Sequence, residues 1–262
     1  MKGSKRRRLN QALNKDVLAV VPARYGSTRL SCKPLVNICG KPLLFWVLKG
    51  LSACNVDEIV VATDHREIAD YAIGEGYEAV MTPSDLPSGS NRTAWVARER
   101  DADIVLNVQV DDPMVGPDMI DPLIAALGKS EEIDVALLVK RIEKEEEIPN
   151  PNIVKVVFDQ RWRALYFSRS PIPYERNRGA TYYKHIGPYC YRKSFLLEFD
   201  SWPQTPLETV ESLEMLRILE RGYDILCLET ERDTIEIDTP DDVSAFERYL
   251  REHGDDLSWL RK

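Results

Sequence analysis

Val20-Val21-Pro22-Ala23-Arg24-Tyr25-Gly26-Ser27-Thr28-Arg29-Leu30-Ser31-Cys32-Lys33-Pro34-Leu35 decides how the rest of the chain is read. An apolar run, Val17 to Val21, ends in a loop that carries Arg24, Arg29 and Lys33 among small residues. The run reads as a buried strand. The loop has the chemistry of an anion cradle, because small residues let backbone N–H groups approach a phosphate while guanidinium and ammonium groups neutralise it. The spacing is neither that of a Walker loop nor G-x-G-x-x-G. The competing reading of the stretch is a solvated basic loop after an edge strand.

Beyond the loop, strand-like and helix-like segments alternate. Asp16–Val21 reads as a strand and Pro42–Ala53 as a helix with proline near its start. Glu58–Ala62 and Tyr77–Met81 read as strands, separated by a helix, Arg66–Ile73, that Gly74 and Gly76 stop. Asn91–Arg100 is helical, Asp103–Val110 a strand ending in acids, and Pro117–Leu127 a helix closed by Gly128. This rhythm predicts an α/β fold with a mostly parallel, doubly wound sheet, whose ligands sit at the carboxyl ends of the strands. Both the Arg24 loop and Asp111 fall at such ends.

After about residue 130 the pattern becomes β-rich, with strands at Val135–Val139, Ile153–Phe158, Ala164–Phe167, His185–Tyr191, Ile225–Leu228 and Thr234–Ile237. Leu207, Val210, Leu213, Leu216 and Leu219 recur at helical spacing and predict one helix over Leu207–Leu219. Asp238-Thr239-Pro240 opens a last helix. The expected organisation is a basic arm over 1–15, a single domain over 16–252 and a tail over 253–262. Within the domain the halves fall at about 16–130 and about 131–252.

Composition narrows the class of function. The 262 residues suffice for a sizeable core, and 44% hydrophobic with 30% charged residues describes a soluble globular chain. A net charge of −8 argues against general nucleic-acid affinity. Positive charge concentrates in Lys2, Lys5, Arg6, Arg7, Arg8 and Lys15, and this arm reads as disordered; binding to RNA or a membrane surface is its alternative. The arm lacks the apolar core of a signal peptide. No apolar run is long enough to span a membrane. Five cysteines without a C-x-x-C pair suit neither a metal knuckle nor a disulfide framework, and read as small packing residues in a reducing cytosol.

Two acidic stretches could carry chemistry. Asn107-Val108-Gln109-Val110-Asp111-Asp112-Pro113 puts two carboxylates where a buried strand ends, and the alternation of a strand lets only one point straight at a given site. Ile235-Glu236-Ile237-Asp238-Thr239-Pro240 offers another acid at a strand end. A turn explains the first stretch, and a helix N-cap at Asp238 explains the second. The functional reading is convergence of both on one hard cation, which takes carboxylate oxygens and shares them with substrate phosphates. Glu208, Glu211 and Glu214, spaced by three, read as a solvated helix face.

These stretches together resemble the CMP-Kdo synthetase (3-deoxy-manno-octulosonate cytidylyltransferase) family of sugar nucleotidyltransferases. The resemblance rests on P-A-R-Y-G-S-T-R-L-x-x-K-P-L with Gly40-Lys41-Pro42-Leu43, and on Pro87-Ser88-Gly89-Ser90-Asn91-Arg92. It continues through Asp111-Asp112-Pro113, Ala164-Leu165-Tyr166-Phe167-Ser168-Arg169 and His185-Ile186-Gly187-Pro188-Tyr189-Cys190-Tyr191. Pro206-Leu207-Glu208 through Leu213-Glu214-Met215-Leu216-Arg217 and Asp238-Thr239-Pro240 complete it, so that it runs from about Val17 to Leu250.

The resemblance implies a nucleotide-diphospho-sugar-transferase-like, Rossmann-like fold, with a nucleotide half followed by a β-rich lobe for sugar binding and dimer contacts. It implies transfer of CMP from CTP to the anomeric hydroxyl of an acidic ulosonic sugar, with pyrophosphate released, in a cytoplasmic homodimer serving lipopolysaccharide biosynthesis. Asp111 and Asp238 would hold Mg²⁺. Arg24, Arg29 and Lys33 would neutralise the triphosphate, with Lys33 stabilising charge in the transition state. Pro22, Ala23, Arg24, Ser88 and Gln109 would contact the nucleotide, and Arg92, His185, Tyr189 and Glu214 the sugar.

Four departures from the family pattern, at five positions, stand out. Ser31-Cys32 stands for Pro-Gly, and a cysteine resists the positive φ that glycine accepts, which bears on the path of Lys33. Val110 stands for glycine, Asp112 for glutamate, and Met215 for a glutamine at the sugar end. An amino-substituted or other acidic acceptor is therefore one alternative, and a non-catalytic nucleotide-binding paralogue another.

Overall fold

The computed structural model describes residues 15–26, 30–254, 257 and 259. The cations of the N-terminal arm before Lys15, Arg29 of the loop, and most of the C-terminal tail lie outside the described residues.

The opening apolar run forms β1 (Val17–Pro22), every residue of which is buried. Its side chains alternate between two cores. Val17, Ala19 and Val21 join one cluster, and Leu18 and Val20 join the other. Burial on both faces explains why the run is continuously apolar rather than alternating, as parallel strands covered by helices on both sides must be.

The chain continues through a short hairpin, β2 (Asn37–Ile38) and β3 (Lys41–Pro42), into α1 (Leu43–Leu51), then β4 (Glu58–Thr63), α2 (Arg66–Gly74), β5 (Glu78–Met81), α3 (Gly89–Arg98), β6 (Ile104–Asn107) and α4 (Pro117–Lys129). The second half adds β7 (Val135–Arg141), β8 (Lys155–Phe158), β9 (Ala164–Ser168), β10 (Tyr183–Arg192), α5 (Lys193–Asp200), α6 (Pro206–Glu211), α7 (Met215–Glu220), β11 (Ile225–Glu229) and α8 (Pro240–His253). The order across the sheet is β11-β7-β10-β6-β1-β4-β5, with β8 and β9 attached through β10. β4, β1 and β6 are parallel neighbours, as are β4 and β5. β10 enters antiparallel between β6 and β7, so the β-rich half extends the same sheet.

The chain leaves β1 toward β4 and β5, then returns to place β6 on the other side of β1. That reversal opens a crevice beyond the carboxyl ends of β1 and β6, where a doubly wound sheet binds its ligand. On one face α1 and α4 supply Leu44, Val47, Leu48, Met119, Ile120 and Leu123. On the other, α3 and α5 supply Ala94, Ala97, Phe195 and Phe199. Each large apolar side chain among them contributes about 1.5–3 kcal/mol when fully buried.

Three expectations are corrected. The predicted helix Leu207–Leu219 is two helices, because Ser212 is left-handed (φ 54°) and ends α6. Glu208 and Glu211 are not a solvated face. Glu208 is buried against Arg217 (2.8 Å), and Glu211 accepts hydrogen bonds from Ser168 Oγ (2.6 Å) and Arg169 N–H (2.9 Å). These carboxylates need partners from different directions, and one straight helix cannot supply both. Thr234–Ile237 is not a strand; Ile237 N–H donates to the Asp111 carbonyl (2.9 Å), and the segment is otherwise irregular.

Candidate active site

A cavity of about 340 Å³ occupies the crevice and is walled by Pro22, Arg24, Lys33, Ser88, Arg92, Gln109, Val110, Asp111 and Asp238. Element boundaries bring Pro22, Ser88 and the stretch from Gln109 to Asp111 there. Pro22 is the last residue of β1. Gln109 to Asp111 lie just past the end of β6, where Val108 N–H still donates to the Val20 carbonyl (3.0 Å). Ser88 is the N-cap of α3, its Oγ accepting from Asn91 N–H (3.2 Å), so the partly positive end of that helix borders the cavity.

Lys33 sits in a 3-10 turn, Lys33–Leu35, that begins at Cys32 with φ 49°. Cys32 thus adopts the left-handed conformation that its side chain resists, at a cost of roughly 1–2 kcal/mol. Its carbonyl closes the turn by accepting from Leu35 N–H (2.9 Å). Lys33 Nζ then lies 2.7 Å from Asp111 Oδ2 and 2.8 Å from Asp238 Oδ1. Burial pulls its pKa down, but the two carboxylates outweigh burial and hold it above the ordinary lysine value.

Asp238 is not the cap of α8. Thr239 takes that role in a reciprocal capping box with Asp242, whose Oδ2 accepts from Thr239 N–H (2.7 Å), and Asp238 turns toward the crevice. Asp111 and Asp112 diverge as strand alternation requires. Asp111 reaches Lys33, while Asp112 is buried and accepts from Met114 N–H (3.2 Å). Burial, with the charges of Glu236 and Asp111, raises the Asp112 carboxyl to about 8.

Arg92 is 3% exposed and donates to Thr82 Oγ1, with Asp64 3.6 Å away. Burial lowers its pKa, Asp64 opposes that, and the nearby Arg24 adds to it. Two guanidinium groups therefore share this wall, a strongly anion-attracting arrangement. Asp64 also accepts from Tyr25 N–H (2.9 Å), and His65 stacks on Tyr25 with ring centroids 3.9 Å apart, which ties the basic loop to the end of β4. Motifs alone miss Asp64, although an acid directly after a buried strand is its visible signal. Ala23 lies behind the wall, fully buried, its N–H bonded to the Ala62 carbonyl (2.8 Å).

A second, smaller cavity of about 190 Å³ shares Gln109 and Asp111 with the first and is lined by Asp112, His185, Tyr189 and Glu236. Burial pushes the His185 imidazole down to about 4, so the ring is neutral near pH 7, and its buried Nε2 has no partner among the described residues. Burial also raises the Tyr189 phenol well above its ordinary value. Glu214 lines neither cavity. It accepts from Ser90 Oγ (2.9 Å) and lies 3.5 Å from Arg217, within a chain of contacts that runs through Asn107 to Gln109. Gly89 makes that chain possible, since a Cβ there would stand 2.7 Å from the Gln109 amide nitrogen. Met215 is 4% exposed in the core beneath.

A crevice at the switch point of a doubly wound sheet, with two arginines, a lysine and two converging carboxylates, defines a nucleotide-handling transferase. The cytidylyltransferase family profile matches residues 18–225. A 3-deoxy-manno-octulosonate cytidylyltransferase of Fusobacterium nucleatum is 41% identical over 239 residues, covering 90% of this chain and 98% of the relative. One from Syntrophotalea carbinolica is 42% identical, covering 90% and 99%. A solved CMP:2-keto-3-deoxy-manno-octonic acid synthetase, complexed with CTP, superposes with a TM-score of 0.86 at 38% identity, over 90% of this chain and 99% of that one. The chain belongs to the CMP-Kdo synthetase (3-deoxy-manno-octulosonate cytidylyltransferase) family. A 4-diphosphocytidyl-2C-methyl-D-erythritol synthase from Anaerococcus prevotii, 17% identical with a TM-score of 0.61, shares the fold.

Proposed function

We infer that this chain transfers CMP from CTP to the anomeric hydroxyl of Kdo or a closely similar ulosonic acid. The observation that carries this reading is the clamp of Lys33 between Asp111 and Asp238, inside a cavity that Arg24 and Arg92 also line. The acceptor oxygen forms a bond to the α-phosphorus, the bond from that phosphorus to the bridging oxygen breaks, and pyrophosphate leaves with the electron pair. The hydroxyl proton passes to solvent. The protein's work in such a displacement is to position the reactants and stabilise charge. Arg24 and Lys33 neutralise the phosphates, and Arg29 belongs to the same basic loop. Pro22, Ser88 and Gln109 border the nucleotide, while Arg92, His185 and Tyr189 border the acceptor, with Glu214 anchoring the floor between them.

Asp111 and Asp238 fit a magnesium ion, since two carboxylates already converge on one cation, the Lys33 ammonium. When bound there, magnesium would supply Lewis-acid neutralisation of the phosphate oxygens. Lys33 lies between the two carboxylates that would hold such an ion, so its ammonium is also positioned beside the phosphates the ion would neutralise. The reading extends to a cytoplasmic homodimer acting in lipopolysaccharide biosynthesis. Exposed Leu165, Leu207 and Val210 on the β9 and α6 side support a subunit contact. Cys32, Cys39, Cys190 and Cys227 form no disulfide among the described residues, and no helix there is long and apolar enough to cross a membrane. Pyrophosphate release from CTP and Mg²⁺ with Kdo tests the reaction, and light scattering in solution tests the dimer.

A further inference from the structure

Glu236 belongs to the smaller cavity and has no assigned role. Ile237 is fully buried, and the residues on either side of it both face the crevice. Asp238 reaches Lys33 in the larger cavity, and Glu236 lines the smaller one beside His185 and Tyr189. The backbone there is pinned by the bond from Ile237 N–H to the Asp111 carbonyl (2.9 Å), so Glu236 is held at a defined place relative to the reacting end.

Among the described residues Glu236 makes no hydrogen bond and no ion pair, whereas Asp111, Asp112 and Asp238 around it each have a partner. The buried His185 Nε2 in the same cavity also has none. The solvent-accessible Glu236 carboxyl and the buried His185 Nε2 both border this cavity, so water or a ligand that enters it supplies their partner. In its ionised form the Glu236 carboxylate accepts only, so the group it meets on a ligand must donate. The surrounding acids repel an anionic end, which the Arg24 and Arg92 wall of the neighbouring cavity attracts instead.

Resting on the reaction inferred above, we propose that Glu236 is a specificity-determining residue that accepts a hydrogen bond from a donor group of the acceptor sugar, distant from its carboxylate. The donor is a hydroxyl or an ammonium, and both are read by the same carboxylate. The acceptor therefore lies with its carboxylate toward the cationic wall and its donor-bearing end toward Glu236.

The test is steady-state turnover of the wild type, Glu236→Ala and Glu236→Gln with Kdo and with its 8-amino analogue. Loss of a hydrogen bond to a charged group corresponds to about 10- to 100-fold, so Glu236→Ala should raise the acceptor KM by that factor and leave the CTP KM within about twofold. A hydroxyl partner predicts that Glu236→Gln restores most of the affinity for Kdo. An ammonium partner predicts that Glu236→Gln loses the 8-amino analogue selectively. An acceptor KM unchanged in Glu236→Ala with both sugars overturns the proposal while leaving the reaction standing. A wild type inactive with both sugars overturns the reaction and the proposal together.

Discussion

Two clusters in this molecule pair basic with acidic side chains, yet they do different jobs. In the crevice, Lys33, Asp111 and Asp238 have side chains 12%, 29% and 33% exposed. Under α6 and α7, Arg217 and Glu208 are 6% and 2% exposed. Arg217 is held there by protein groups: it donates to Glu208 and to the Trp202 carbonyl (3.0 Å), and stacks over Phe199 at 4.4 Å. The partners of that pair are protein groups, and none can be exchanged without leaving a buried charge. The crevice cluster is held by one lysine that borders a cavity, so its partners can be traded for a ligand. Residue type does not separate a structural ion pair from a working one; access to an exchangeable partner does.

Neutralising one carboxylate of the crevice puts this contrast under the greatest strain. Asp111→Asn or Asp238→Asn should lower kcat by roughly 10³-fold or more with a melting temperature close to wild type. Full activity in either variant would remove that residue from the reaction. The opposite pattern is expected of Glu208→Gln, which strands a buried guanidinium. Thermal or denaturant unfolding should show a loss of about 3–5 kcal/mol, with the folded fraction still turning over.

Lys33→Met probes the crevice from its cationic side. It should depress kcat about 100-fold, more than it weakens CTP binding. It should also let Mn²⁺ bind the nucleotide-free enzyme more tightly, read by electron paramagnetic resonance, because the ammonium no longer holds the two carboxylates. Arg24→Met removes the same charge without vacating that clamp and should leave Mn²⁺ affinity near wild type.

His185 gives a pH signature. Its imidazole is held down to about 4 by burial, against 6.5 ordinarily. Below pH 6.5 the unfolded chain takes up a proton that the native ring refuses, so stability falls as pH drops from 6.5 toward 4, by up to roughly 3 kcal/mol. His185→Gln should flatten that slope in urea titrations across this range. Cys32→Gly should act most mildly. Relief of left-handed strain, partly offset by the greater entropy of unfolded glycine, should raise stability by about 0.5–1 kcal/mol, measured by the same titrations near neutral pH.

Much of the fold and part of the site are legible in the chain because their signals are local. The continuous apolar run of β1 announces a strand buried on both faces, and Asp111 stands where a strand runs out. The features that stay hidden depend on distant partners. Glu211 binds Ser168 and Arg169, contacts 43 and 42 residues away, and Ser212 breaks the helix just beyond it. That Asp238 leaves helix capping to Thr239 depends on which of two adjacent residues takes the cap, and both are suitable. The open environment of Glu236 becomes visible only with the packing of Ile237. Cys32 shows the converse: a local rule against positive φ loses to a turn held by its own hydrogen bond and by the clamp on Lys33.

Whether the crevice activates a ulosonic acid with CTP is read most directly by pyrophosphate release. Purified protein, CTP, Mg²⁺ and Kdo should be followed together, with the 8-amino analogue and sialic acid alongside. The expected result is release with Kdo or its amino analogue, dependent on Mg²⁺ and abolished by Asp111→Asn. Binding of CTP without release for any of these acceptors would contradict that activity.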